Sequence, residues 1–144
     1  MAKIGFYGGA QEVTGANHMI ETHNARILID CGLFQCPRFC AAKNRDEFLY
    51  DPASVDALLV THAHVDHVGR IPKLVRAGFR GVIYSTPPTH DFAEIMLKDS
   101  LGVLEKEAER EGEKEAIYGM EDVERAMSLW KTVPYGEKFS IGSI

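Results

Sequence analysis

Within Thr61-His62-Ala63-His64-Val65-Asp66-His67-Val68-Gly69, three of the chain's six histidines fall inside six residues, with a carboxylate among them. No other stretch limits the fold as tightly. Immediately upstream, Ala57-Leu58-Leu59-Val60 is a short apolar run, the pattern of a buried strand. Immediately downstream, Gly69 and Pro72 lead into Ile71, Leu74, Val75 and Phe79, an apolar face at helical spacing. The histidines are therefore expected on the turn between the carboxyl end of a strand and a helix over residues 69–78. In open α/β sheets that crevice is where ligands bind.

The spacing carries the chemistry. His62 and His64 lie two apart, so along an extended segment their imidazoles project to one side and can share an ion. As the chain turns, Asp66 and His67 can face a second ion beside the first. Imidazole nitrogen with carboxylate oxygen suits zinc or another borderline divalent metal. One histidine alone would read as a surface or capping residue. The pattern H-x-H-x-D-H behind an apolar strand reads as a metal site.

This motif resembles the signature of the metallo-β-lactamase fold. Three stretches narrow the resemblance: residues 5–15 (GFYGGAQEVTG), Asp30-Cys31-Gly32-Leu33-Phe34-Gln35, and residues 61–74 (THAHVDHVGRIPKL). They are similar to the β-CASP branch, which holds RNA-processing nucleases. Small-molecule hydrolases of the fold usually carry Gly-Gly after the motif, whereas Gly69 is followed here by Arg70-Ile71-Pro72. The fold implied is α/β, the N-terminal half of a metallo-β-lactamase αββα sandwich, with a mixed sheet and covering helices. The activity implied for a complete protein is cleavage of RNA phosphodiester bonds by water activated at two zinc ions. His62 and His64 would hold one ion, Asp66 and His67 the other, with Asp30 and Asp66 as catalytic carboxylates.

The resemblance also implies what is missing. The family's remaining metal motifs, a histidine, a bridging aspartate and a further histidine beyond the β-CASP insertion, are not found in these 144 residues. Residues 1–144 are thus expected to form an incomplete metallo-β-lactamase domain, inactive alone. Its inner apolar face, with Leu58, Val60 and Ile29, would lack a partner sheet and favour self-association. Two other readings stand beside the nuclease: an ester or thioester hydrolase of the same fold, and a catalytically silent chain that binds partners.

Asp30 ends the apolar run Ile27-Leu28-Ile29, where a charge is costly to bury. The resemblance makes it a carboxylate that orients the ligand histidines; the plainer alternative is a turn aspartate. A first strand over residues 3–7 is broken by Gly8-Gly9-Ala10, expected to bring backbone close to the metal crevice. No Gly-Lys-Ser/Thr follows, so it is not a phosphate loop. Glu12 in that loop either is solvated or supports the site. Strands over 17–21 and 26–30 should form a hairpin across His23-Asn24, making His18 and His23 strand and turn residues.

Later elements follow the same logic. A short helical piece near 41–49 and a turn at Asp51-Pro52 precede the central strand, and a strand over 81–85 follows the motif. Pro87 and Pro88 open a long helix to residue 112, with Phe92, Ile95, Met96, Val103 and Leu104 inward. A helix over 121–131 packs by Val123, Ala126, Met127 and Trp130, and a last strand spans 138–141. Arg70, Lys73, Arg76 and Arg80 form either a phosphate-attracting set or, more plainly, a solvated helix face.

Sixteen basic against twenty-one acidic residues give a net charge of −5, which opposes bulk attraction to nucleic acid while leaving a local basic patch open. No apolar run approaches a membrane span, and Met1-Ala2-Lys3 leads into a strand rather than a signal peptide. A cytoplasmic location without membrane partners is expected. Cys31, Cys36 and Cys40 match no common zinc spacing and are expected as reduced thiols, Cys31 in packing.

Overall fold

A computed structural model describes residues 1–36 and 40–141. In chain order the elements are β1 (Lys3–Gly8), β2 (Asn17–Glu21), β3 (Arg26–Ile29), α1 (Cys40–Arg45), a single 3-10 turn (Pro52–Ser54), β4 (Ala57–Leu59), α2 (Val65–Val68), α3 (Ile71–Arg76), β5 (Val82–Ser85), α4 (Pro87–Glu111), α5 (Met120–Ser128) and β6 (Trp130–Thr132). The strands make one mixed sheet in sequential order. β1, β2 and β3 are antiparallel, and β3 to β6 run parallel. Parallel neighbours need crossovers: α1 and the 3-10 turn lie between β3 and β4, α2 with α3 between β4 and β5, and α4 with α5 between β5 and β6.

Register decides which side of the sheet is buried. Met19, Leu28, Leu58, Ile83 and Trp130 lie opposite one another across five strands. All are buried in one core with Val68, Ile71, Leu74, Phe79, Leu97 and Val123 of the helical layer and its connections. The opposite row is Phe6, His18, Ile29, Leu59 and Tyr84. Those side chains are half-buried or exposed, and Ile4 and Phe6 at the β1 edge are each 64% exposed. Of the three residues expected on the uncovered face, Ile29 is there, whereas Leu58 and Val60 are in the helix-covered core. An unbroken apolar run permits either parity, and side chains of one strand alternate faces.

The later helices differ in detail from their sequence reading. α4 begins at Pro87 and is stopped by Gly112, whose φ of 73° is the left-handed cap that glycine adopts without a Cβ penalty. Its buried stripe is Ala93, Leu97, Ser100, Leu101, Leu104 and Ala108; Phe92, Ile95 and Val103 are exposed. Leu97, Leu101 and Leu104 share that stripe with small residues, Leu104 as expected, and Met96 packs against the core beside it. Trp130 is buried as expected, but it stands on β6 against Ile83 rather than on a helix. Its indole N–H donates to Ser85 Oγ at 2.8 Å. β6 ends the sheet, and residues 138–141, expected as a last strand, form none. Among the described residues, no helix is long and apolar enough to cross a membrane.

The cysteines also depart from expectation. Cys36 and Cys40 are joined by a disulfide, their Cα atoms 5.7 Å apart. The four-residue separation at the entry to α1 falls within the reach of a disulfide, which a count of spacings does not reveal. Cys31 is a fully buried free thiol, and burial pushes its pKa up to about 11. Alkylation mapped by mass spectrometry should find no reactive thiol in the native, non-reduced chain. Unfolding without reductant should expose one, Cys31, while Cys36 and Cys40 should react only after reduction.

Candidate metal centre

The motif histidines reach the end of the sheet by different means. His62 and His64 precede α2, with His64 still extended at φ −67°, ψ 147°, whereas Asp66 and His67 lie inside that single helical turn. The rings of His62 and His67 are 4.0 Å apart between centroids, and those of His62 and His64 are 4.6 Å apart. Asp66 Oδ2 is 3.6 Å from His67 Nε2. The four residues singled out by spacing therefore come together beyond the carboxyl end of β4.

A helix of one turn leaves carbonyls unpaired within it, and the preceding chain supplies their donors. Leu33 N–H donates to Val65 O (3.0 Å), Ala16 N–H to Asp66 O (2.9 Å), and Cys31 N–H to His67 O (2.8 Å). The segment 31–33 thus lies across the motif. Gly32 is required at its centre, since a Cβ there would sit 1.6 Å from Asp66 O. The glycine that brings backbone to the motif is this one rather than Gly8 or Gly9. A Cβ on Gly8 would meet Gly15 O at 2.0 Å, and one on Gly9 would meet Ala16 Cα at 3.0 Å.

Behind the rings sits Asp30, 2% exposed and held at φ 59°. That left-handed backbone is uncommon for a residue other than glycine, though aspartate tolerates it better than most. Its Oδ1 accepts from Thr61 N–H at 2.8 Å. Its Oδ2 accepts from the Thr61 hydroxyl at 2.8 Å and meets His67 Nδ1 at 2.8 Å. The Asp30 N–H donates to Leu59 O (2.9 Å), and its carbonyl accepts from Asn17 Nδ2 (2.9 Å). Asn17 is in turn held by the Tyr50 hydroxyl at 3.1 Å. Spacing had drawn attention to neither Thr61 nor Asn17. The hydroxyl directly ahead of H-x-H was a usable signal for Thr61, whereas nothing local marks Asn17.

This carboxylate fixes the chemistry of one ring. A carboxylate on Nδ1 favours the tautomer with its proton there, which leaves Nε2 as the lone-pair nitrogen. Burial, with the rings of His67 and His64 close by, holds His62 below the usual histidine range. It therefore stays neutral more readily, the form in which imidazole ligates. Three imidazoles and a carboxylate are donors of the types a borderline divalent ion takes, so the residues fit such an ion chemically. Among the described residues, no three histidine, cysteine, aspartate or glutamate side chains are arranged around a single point.

Other candidates fall elsewhere. Glu12 pairs with Lys43 at 2.6 Å, as a surface loop carboxylate. His18 packs on Phe6 within β2, and His23 is in the β2–β3 turn. The basic set divides: Arg70 is buried and Lys73 half-buried, each turned to backbone carbonyls, whereas Arg76 and Arg80 stay exposed, as the plainer reading expected. Arg70 donates to Gly32 O, Lys73 to the carbonyls of Asn44 and Asp46, and Arg80 to those of Val75 and Phe79. Arg76 pairs with Glu115 and Asp122. Burial, and then Arg70 beside it, pull the Lys73 ammonium down to about 8.

Comparison with known proteins agrees with this geometry. The chain is 43% identical over 138 residues to Ribonuclease TTHA0252 of Thermus thermophilus, covering 96% of this chain and 30% of that protein. It is 35% identical over 134 residues to Transcription termination factor FttA of Methanocaldococcus jannaschii, covering 93% of this chain and 20% of that protein. The chain thus spans less than a third of either relative's length. A flavo di-iron protein of Thermotoga maritima shares the fold at a TM-score of 0.50 and 18% identity, over 88% of this chain and 24% of that one. With residues 13–126 matching the pattern of the Metallo-beta-lactamase superfamily, the chain belongs to that superfamily.

Proposed function

We propose that this chain is part of a metal-dependent ribonuclease of the β-CASP type, acting in the cytoplasm on phosphodiester bonds of RNA. The observation that carries the reading is the buried Asp30 carboxylate bonded to His67 Nδ1 and Thr61 behind three clustered imidazoles. A carboxylate on Nδ1 of a clustered histidine is an arrangement that orients metal ligands. The substrate class rests on the likeness to Ribonuclease TTHA0252.

His62 and His64 would hold one zinc ion, and Asp66 with His67 Nε2 the second. Such ions, when bound, supply an activated water at neutral pH and charge neutralisation for an in-line displacement at phosphorus. Asp30 keeps the His67 proton on Nδ1 and so presents Nε2. Thr61 fixes Asp30 through two donors. Asp66, whose Oδ2 is 3.6 Å from His67 Nε2, would be both a ligand of that ion and, with Asp30, one of the two catalytic carboxylates. A closed site takes three or four protein ligands, so residues 1–144 form an incomplete domain and further donors come from outside them.

The test uses this chain and a version extended to the length of its relatives, each assayed for zinc content and cleavage of labelled single-stranded RNA. Turnover is expected from the longer protein alone. Within it, His64→Ala should remove zinc and cleavage together. Asp30→Asn should weaken zinc by about 10–100-fold, the range for a partner of a ligand histidine, while retaining more metal than His64→Ala. Equal and complete metal loss in both variants would make Asp30 a ligand itself, and zinc-dependent turnover by residues 1–144 would refute the incompleteness.

We also propose that residues 1–144 alone self-associate through the apolar sheet face of Phe6, Ile29 and Leu59. The exposure of Ile4 and Phe6 beside half-buried Ile29, Leu59 and Tyr84 supports it. Light scattering should show a concentration-dependent increase in mass that Phe6→Glu reduces; an unchanged profile would place the contact elsewhere.

A further inference from the structure

The segment across the motif is anchored by a cation that packing alone would not select. Arg70 is 5% exposed. Its backbone N–H donates to Cys31 O at 2.8 Å, and its side-chain Nε to Gly32 O at 2.6 Å. Its guanidinium carbon lies 4.4 Å from the centre of the Phe34 ring and 5.4 Å from that of Phe48. Its Nη2 is buried with no hydrogen-bond partner. No ion pair relieves the charge among the described residues. Burying an unpaired cation is expensive, and a methionine or leucine at this position would avoid the cost. The aromatic faces and the carbonyl recover part of it.

What the guanidinium gains is direction. Its planar fork, stacked on Phe34, can approach Gly32 O from one angle. Phe34 is itself fixed at both backbone atoms by Asn44 of α1: its N–H donates to Asn44 Oδ1 and its carbonyl accepts from Asn44 Nδ2, each at 2.9 Å. Gly32 has no slack, since it lies directly against Asp66 O. Two residues before it, Asp30 bonds His67 Nδ1. We infer that Arg70 is a positioning residue for the metal centre: through Gly32 it sets residues 30–32 so that Asp30 holds His67 with Nε2 free. The inference rests on the metal reading of the motif, and Arg70 itself touches neither ion nor substrate.

The test compares the full-length protein with Arg70→Met and Arg70→Lys by thermal melting, by NMR of the His67 Nδ1 proton, and by zinc competition against a chromophoric chelator. Arg70→Met should stay folded, lose the slowly exchanging Nδ1 proton signal, and bind zinc about tenfold more weakly, the low end for indirect support of a ligand. Arg70→Lys keeps the charge without the fork and should recover part of both signals. A folded Arg70→Met with parental proton signal and zinc affinity would overturn the proposal and leave Arg70 as packing. Should Arg70→Met unfold, Arg70→Lys decides: parental values overturn the proposal, and weakened values support it. His64→Ala separates the two readings. Zinc binding unaffected by that change would refute the metal site, and the His67 proton would still report on Arg70.

Discussion

The carboxylate of Asp30 is the point on which the site depends. A charge that is 2% exposed would be costly unless paired, and three donors from two residues meet it. Hydrogen bonds to a charged group contribute about 1.5–3 kcal/mol each. The left-handed backbone at Asp30 costs about 1–3 kcal/mol. The bonds therefore outweigh the strain, and the strain has a geometric return. A residue continuing β3 in extended form would follow the strand direction, whereas the left-handed turn directs the carboxylate to Thr61 and His67. Asn17 and Leu59 hold that turn through both backbone groups of Asp30.

Around this point the backbone does most of the assembly. Ala16, just ahead of β2, and Cys31 and Leu33, just after β3, donate to carbonyls of α2 and so tie the ends of those strands to the motif. The motif's place beyond β4 follows from the parallel pairing of β3, β4 and β5, which leaves their carboxyl ends at one edge. Among the described residues the opposite face of the same sheet carries no helical layer, so the apolar row of Phe6, Ile29 and Leu59 contrasts with the dense core across the sheet. Arg70 and Lys73 are turned to backbone carbonyls, while Arg76 and Arg80 remain exposed on a chain of net charge −5.

Much of this was legible in the chain itself. The apolar run before His62, the helical spacing after Gly69, the hairpin across His23-Asn24 and the bounds of α4 at Pro87 and Gly112 are local signals, and each element lies within a few residues of its reading. Donor types at short spacing also singled out His62, His64, Asp66 and His67 without a distant partner, and the fold brings these side chains together. Asp30 stood out as a charge ending an apolar strand. Tertiary structure alone decided the rest: the inward parity of Leu58 over Leu59, the inward stripe of α4, Trp130 on a strand, the Cys36–Cys40 bond, and the burial of Arg70. It also recruited Thr61, Asn17 and Gly32 to the site. The reason is the range of the interactions. Periodicity specifies what an element is, whereas the bonds that build the site join residues 13 positions apart, as for Asn17 and Asp30, or 37 apart, as for Asp30 and His67, and no local pattern encodes which distant group will be met.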